Sequence, residues 1–180
     1  MPRYVAFLRA INVGGHVVKM EALRVLFESL KFKSVETFIA SGNVIFETSA
    51  MPAADLQTKI EMALRKALGY EVCTFVRTDG ELREIVRYKP FPESATLTAA
   101  TFCVGFMYTP MAAEAEQRVL SFRNPDDDFH VHGSELYWLS RGRQSDSTFS
   151  NALFEKTLKI QATFRGITTV RKLAAKYPAC

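Results

Sequence analysis

Near its start the chain combines cationic and amide side chains with two adjacent glycines: Arg9, Asn12, Gly14, Gly15, His16 and Lys19. Glycine lets backbone N–H groups turn toward a ligand, and the first N–H groups of a helix have no partner inside it. Phosphate and carboxylate oxygens bind such groups, and Arg and Lys supply the opposite charge. We therefore expect the protein to bind an anionic, phosphate-bearing small ligand or a nucleotide in a cleft near this loop. The alternative is a tight strand-to-helix connection in which the glycines serve only the backbone.

The glycine spacing matches neither of the two familiar phosphate loops. A P-loop has four residues between its glycines and then Gly-Lys-Ser/Thr, and the dinucleotide fingerprint is Gly-x-Gly-x-x-Gly. The chain also has no Gly-x-Ser-x-Gly nucleophile motif. An enzyme acting on a phosphate ester is a further hypothesis, for which His16 is the only candidate base near the loop. The sequence assigns no catalytic residue and predicts no cofactor.

The elements that position this loop alternate between two periodicities. A strand pattern over residues 4–11 precedes the loop, and an apolar helical stripe over 20–30 follows it. Next come two strands joined by the Ser41-Gly42-Asn43 turn. A helix and a further strand follow, and this strand ends near residue 77. The order β-α-β-β-α-β is the split βαβ, or ferredoxin-like, arrangement.

The Ser41-Gly42-Asn43 turn is most simply a hairpin turn. In a split βαβ arrangement, however, the first and third strands are central neighbours. If they run antiparallel, the end of the first strand lies opposite the start of the third. Ser41 and Asn43 are therefore predicted to border the same ligand site as Arg9 and Asn12.

The second half of the chain repeats the pattern with strands, helices and a hairpin, but residues 162–177 read as a basic loop and a closing helix instead of a final strand. Pro90, Pro92 and a Ser/Thr/Ala tract predict a linker over 89–100. Thr78 and Glu81 form a capping-box pattern for a short helix before it. We expect an α+β protein of two ferredoxin-like modules in tandem, residues 1–88 and 101–180, with antiparallel sheets and helices packed on one face. Both faces of the first sheet are apolar, so the second module or a partner chain is expected to cover the other face.

Composition is that of a globular protein, with 48% apolar and 23% charged residues. No apolar run approaches the ~20 residues of a membrane span, and residues 1–3 lead directly into a strand pattern instead of a signal peptide. Three widely spaced cysteines predict reduced thiols in a cytoplasmic protein, buried at Cys73 and Cys103 and exposed at Cys180. Composition leaves the oligomeric state open.

Positive charge is concentrated at the end of the chain. Residues 141–180 contain eight Lys/Arg and two acidic residues, a net charge of +6, whereas the first 140 residues have a net charge of −2. A weak, non-specific contact with nucleic acid through this basic region is the alternative function. The third strand, residues 42–47, lacks the exposed aromatic residues with which RNA-recognition strands stack bases.

A second cluster invites a metal-binding interpretation. Asp128, His130 and His132 alternate along one predicted strand and would share a face. Zinc sites need three or four ligands, and the only other histidine is His16. The pattern is therefore interpreted as a polar outer face, and no metal site is predicted.

Two segments carry a resemblance to a known family. Residues 6–15 read Ala-Phe-Leu-Arg-Ala-Ile-Asn-Val-Gly-Gly, followed by Lys19-Met20, and residues 41–46 read Ser-Gly-Asn-Val-Ile-Phe. The chain resembles the bacterial domain-of-unknown-function family 1697 over nearly its whole length, which implies paired ferredoxin-like halves and no established activity. Family members tend to carry a Thr-Arg-Asn-Trp-Asn-Thr-type segment before the last helix, of which residues 163–170 keep Arg165 and the final threonine but not the Asn and Trp. We expect Arg165 and its neighbouring threonines to form the second wall of a ligand cleft between the modules.

Overall fold

A computed structural model of the chain describes residues 1–12, 14–39 and 42–177. Over these residues it has two four-stranded antiparallel sheets with helices, which is an α+β architecture as predicted. The chain forms two compact units, one of Met1–Arg83 with the segment that begins at Leu173, the other of Glu84–Lys172. The chain therefore returns to its first unit at its end.

The first unit has the predicted ferredoxin-like order. Its elements are β1 (Arg3–Leu8), α1 (Met20–Ser29), β2 (Lys33–Thr37), β3 (Asn43–Glu47), α2 (Ala53–Leu68), β4 (Thr74–Thr78) and the start of α3 (Asp79–Arg87). The sheet order is β2-β3-β1-β4, with neighbours antiparallel. The two central strands are thus β1 and β3, which fixes what lies beside the end of β1.

One face of this sheet packs against α1 and α2. Alternate residues of β1 point to it and share a buried cluster with the apolar stripes of both helices: Tyr4, Ala6, Leu8, Leu23, Phe27, Leu56, Ile60 and Leu64. The intervening residues Val5 and Phe7 have no solvent-exposed surface either. The predicted burial of both faces of β1 is confirmed.

The start of α3 shows the predicted capping box. The Glu81 amide donates to Thr78 Oγ1 at 3.1 Å, and the Thr78 amide donates to Glu81 Oε2 at 2.7 Å. Two amides at the helix start are therefore satisfied reciprocally by side chains. A pattern of two residues was enough to predict this boundary.

The second unit repeats the strand order of the first. Its elements are the end of α3, α4 (Glu93–Thr98), β5 (Thr101–Phe106), α5 (Ala113–Leu120), β6 (Asp127–His132), β7 (Glu135–Ser140), α6 (Asn151–Leu158), β8 (Thr163–Gly166) and the start of α7 (Ile167–Lys176). The sheet order is β6-β7-β5-β8. Within the segment predicted as a linker, residues 93–98 form the short helix α4.

The prediction that the second module has no final strand is wrong. Residues 163–166 form β8 and pair antiparallel with β5, Phe164 opposite Gly105. A Cβ on Gly105 would lie 2.7 Å from the Phe164 ring, so the missing side chain makes room for that ring. A strand of four residues that includes a buried arginine and a glycine has no clear apolar alternation, which is why the pattern indicated a loop.

Neither Cys73 nor Cys103 forms a disulfide in the described part of the chain. Cys103 is buried in β5 as predicted, and burial raises its pKa to about 11. Cys73, just before β4, is only half-buried, and Cys180 lies outside the described residues. Among the helices that the structure describes, none combines the length and apolar character needed to cross a membrane.

Candidate functional site

The candidate loop starts where β1 leaves the sheet. Arg9 is half-buried, and its amide donates to the Cys73 carbonyl at 2.9 Å. Ala10 has a φ of +54° and turns the chain away from the strand direction. The strand therefore ends at Leu8, three residues earlier than the apolar pattern suggested, and the Arg9 backbone is fixed at the sheet end.

A side-chain hydrogen bond closes the loop between Asn12 and Lys19. The Asn12 Oδ1 accepts from the Val18 amide at 2.7 Å, which joins the two ends of the loop. Gly14 and Gly15 have φ values of +64° and +84°, and a Cβ on either would meet nothing within 4 Å. These glycines are needed for the left-handed backbone and leave open space beside it.

Several backbone donors of this loop have no acceptor among the residues that the structure describes. The amides of Gly14, Gly15 and His16 donate no hydrogen bond to another described residue. Lys19, the residue before α1, is exposed, its side chain does not cap the helix, and it pairs with no carboxylate in the described ranges. Consecutive free amides beside a lysine and a helix start favour an anion.

An aromatic contact holds the middle of the loop. The His16 ring stacks on the Tyr70 ring, with centroids 3.9 Å apart and planes inclined by 28°. Tyr70 packs against the buried cluster of the first unit, and its hydroxyl donates to the Ile11 carbonyl at 3.3 Å. The sequence did not predict a role for Tyr70, because it lies 54 positions after His16 in the chain. The only local signal there is Gly69, which ends α2.

The β2–β3 hairpin reaches the same end of the sheet. The Leu8 amide donates to the Gly42 carbonyl at 2.8 Å, and a Cβ on Gly42 would lie 2.8 Å from Ile11 Cγ2. Asn43 is fully buried. Its side-chain Nδ2 donates to the Phe38 carbonyl at 2.8 Å and so closes the hairpin. Gly42 is therefore the turn residue that contacts the end of β1, whereas Ser41 lies outside the described residues.

Arg165 belongs to the second unit. Its side chain is 8% exposed, and its Nη1 donates to Thr163 Oγ1 at 2.8 Å and to the Phe164 carbonyl at 2.9 Å. Burial lowers its pKa to about 10. The guanidinium is thus held along β8, and its predicted role as the wall of a ligand cleft stays a prediction.

The acidic and histidine residues of β6 have protein partners. Asp128 forms an ion pair with Arg123 at 2.7 Å. The His130 Nε2 lies 2.7 Å from the Tyr88 hydroxyl, and the His132 ring stacks on Tyr88 with a centroid distance of 3.9 Å. In the described ranges, no group of three His, Cys, Asp or Glu residues could hold a metal ion.

The basic region at the end of the chain is partly neutralised within the first unit. Lys176 Nζ lies 3.0 Å from Glu36 Oε2, and the Tyr177 hydroxyl donates to the same oxygen. These hydrogen bonds, first that of Tyr177 and then that of Lys176, lower the pKa of Glu36. Arg171 and Lys172 are exposed.

Comparison with known proteins identifies the family. The sequence profile of the DUF1697 family, described as proteins of unknown function, matches residues 1–137, and the chain belongs to this family. Conserved bacterial protein SP0830 from Streptococcus pneumoniae has a similar structure, with 23% identity, a TM-score of 0.75 and 97% of each chain covered. At that identity the likeness concerns the fold. No curated protein matches the sequence.

Proposed function

We propose that the protein binds a small phosphate-bearing ligand at the loop of the first unit between Asn12 and Lys19. The observation that carries this proposal is the run of three successive amides, from Gly14 to His16, that donate to no described residue. Phosphate oxygens accept several hydrogen bonds at once, and those from backbone N–H to an anion are worth about 1.5–3 kcal/mol each.

The loop is held in shape before any ligand arrives. The Asn12–Val18 hydrogen bond closes it, and the contact of His16 with Tyr70 fixes its middle. Binding to a preorganised loop costs less conformational entropy than binding to a loop that must first fold.

The charges around the loop favour an anion. Arg9 and Lys19 lie at its two ends. The acidic residue closest in sequence is Glu21 in the first turn of α1, and Arg24 binds its carboxylate. The hydrogen bond from Arg24 lowers the pKa of Glu21, so its charge is present at neutral pH but is matched by a neighbouring cation.

The experiment measures thermal unfolding of the full chain with inorganic phosphate, AMP and ATP at increasing concentration. A ligand at one hundred times its dissociation constant stabilises the folded state by about 2.7 kcal/mol. For a chain of this length, that corresponds to a rise in Tm of about 5–10 °C. Lys19→Gln removes an exposed charge without a structural contact, so we expect unchanged folding and roughly tenfold weaker binding. Arg9→Ala is expected to abolish the rise.

Lys33→Gln is the matched control. Lys33 is also exposed and lies in the first unit, but it is far from the loop along the sheet. In the strand register Lys33 lies opposite Glu47, and Glu47 lies opposite Arg3 at the other end of β1. The Lys33→Gln variant should therefore bind phosphate ligands like the unaltered protein. An equal loss in Lys33→Gln and Lys19→Gln would show a general charge effect, and no rise in Tm with any of the three ligands would refute the proposal.

A further inference from the structure

The exposed His16 ring, which stacks on the half-buried Tyr70, belongs to the same loop as the free amides. We infer that the ligand is a nucleotide, with phosphate on the amides of Gly14 and Gly15 and the base stacked on the outer face of the His16 ring. This inference rests on the proposed function, because it identifies the ligand class of the same loop.

The pair has the properties of a stacking platform. Tyr70 covers one face of the imidazole at a centroid distance of 3.9 Å, while His16 itself remains exposed. The lower ring is anchored, since Tyr70 packs against the core and donates to the Ile11 carbonyl. A planar ring held on a fixed support loses little conformational freedom when a base stacks on it.

The distances along the chain suit a nucleoside monophosphate. His16 follows Gly15 directly, and consecutive Cα atoms are about 3.8 Å apart. The phosphate and the base of one nucleoside monophosphate would therefore lie on two neighbouring residues. Sugar phosphates and inorganic phosphate would use the amides and leave the ring unused.

Neighbouring apolar surface supports the same ligand class. Val17, the residue after His16, is 85% exposed, whereas Val18 is buried. An exposed valine beside an exposed imidazole gives this part of the loop an apolar and aromatic surface beside its charged ends. Such a surface fits a ligand with one charged and one planar part. Base stacking of this kind depends little on base identity.

The test compares AMP, ribose 5-phosphate and inorganic phosphate by calorimetric titration of the full chain. We expect AMP to bind about five- to tenfold more tightly than ribose 5-phosphate. His16→Ala should remove that advantage, so that AMP and ribose 5-phosphate bind equally, whereas His16→Phe keeps a ring on Tyr70 and should preserve it. Equal affinities for AMP and ribose 5-phosphate in the unaltered protein would overturn the nucleotide inference and leave the phosphate proposal standing.

A second readout covers the case in which a base stacks on Tyr70 once His16 is removed. The imidazole proton resonances of His16, assigned by their absence in His16→Phe, should shift upfield on adding AMP and stay in place on adding ribose 5-phosphate. Binding of AMP without this shift would overturn the inference. Absence of binding by all three ligands would instead refute the phosphate site itself, and the nucleotide inference with it.

Discussion

At Gly42 the backbone and the surroundings both require glycine, whereas at Gly69 only the backbone does. Both residues have positive φ, +78° and +82°. A Cβ on Gly42 would lie 2.8 Å from Ile11 Cγ2 and 3.1 Å from Leu8 Cβ, while one on Gly69 would meet nothing within 4 Å. The two positions therefore separate the cost of a left-handed backbone from the cost of overpacking.

We predict that Gly42→Ala lowers the free energy of unfolding by about 2–4 kcal/mol, combining a left-handed alanine with a steric clash. Gly69→Ala should lower the free energy of unfolding by only about 1 kcal/mol, because it places an alanine in the left-handed backbone without a steric clash. Urea denaturation of both variants measures the difference. Equal losses of stability in the two variants would mean that Ile11 and Leu8 move away from the added Cβ of residue 42 without an energetic cost.

Among single residues, residue type did not show which backbone groups a side chain would bond. Arg165 is predicted to form a wall of the ligand cleft; its side chain is buried along β8, and that role stays a prediction. Asn43 is predicted to border the ligand site; its side-chain amide closes a hairpin, and that role also stays a prediction. In both cases the side chain satisfies backbone carbonyls, and local pattern does not show which carbonyls lack partners.

At the scale of elements, the start of α3 depends on one hydroxyl. Thr78 Oγ1 accepts from the Glu81 amide and donates to the Glu81 carboxylate at 3.0 Å. We predict that Thr78→Ala costs about 1 kcal/mol of stability, as expected for loss of an N-cap. Thr78→Ser keeps the hydroxyl and is the control, so it should be nearly neutral in urea denaturation. A similar loss in both variants would assign the effect to the threonine methyl group.

Elements with a local signal were predictable from the sequence. The helical stripes predicted α1 and α2, the capping-box pattern of Thr78 and Glu81 predicted the start of α3, and the order of the first six elements was correct. These features depend on residues a few positions apart. Propensity and capping act over that range, so the sequence alone contains them.

Elements defined by distant partners were not predictable. β8 exists because β5 offers it an edge and a glycine, Gly105, on which Phe164 packs. The contact of His16 with Tyr70 likewise joins two segments through the fold. Tertiary context decides such cases, and a single sequence without a repeat signal at these positions does not show it.

At the scale of the whole molecule, charge is distributed unevenly, and the alternative function depends on that distribution. Arg171 and Lys172 are exposed, while Lys176 is paired with Glu36. For nucleic-acid binding through this region we predict weak affinity whose logarithm falls linearly with the logarithm of salt concentration. Replacing Arg171 and Lys172 by Gln should reduce that slope by roughly 1.4 on a single strand. Fluorescence anisotropy with a labelled oligonucleotide measures it, and binding insensitive to salt would exclude this mode.

Acid should destabilise the two units in different pH ranges. In the second unit, burial and then the nearby charge of His132 lower the pKa of His130 below the 6.5 of a free histidine. The Tyr88 hydroxyl is hydrogen-bonded to the His130 ring, and Tyr137 lies opposite His130 in the strand register. The charges of Glu116, Arg123 and Asp128 also affect the pKa of His130. The unfolded chain therefore takes up the proton more readily, so this contribution to stability is complete above pH 6.5 and declines as the pH falls through that value.

In the first unit, shifted carboxyl groups respond to acid at a lower pH. The pKa values of Glu36 and Glu47 are lowered by hydrogen bonds, chiefly from Tyr177 and Arg3 respectively. Their contribution is present above pH 4.5, the value of a free glutamate, and is lost only as the pH falls below it. Between pH 7 and about 5.5, the second unit should therefore lose stability before the first.

The only tryptophan makes the two units distinguishable. Trp138 is buried in the second unit, where its Nε1 donates to Asp127 at 3.0 Å. Urea midpoints followed by tryptophan fluorescence should fall between pH 7 and about 5.5. His130→Gln removes the titrating group and keeps an acceptor for the Tyr88 hydroxyl, so its fluorescence midpoint should stay level over the same range. A fall of equal size in His130→Gln would locate the acid sensitivity elsewhere in the second unit.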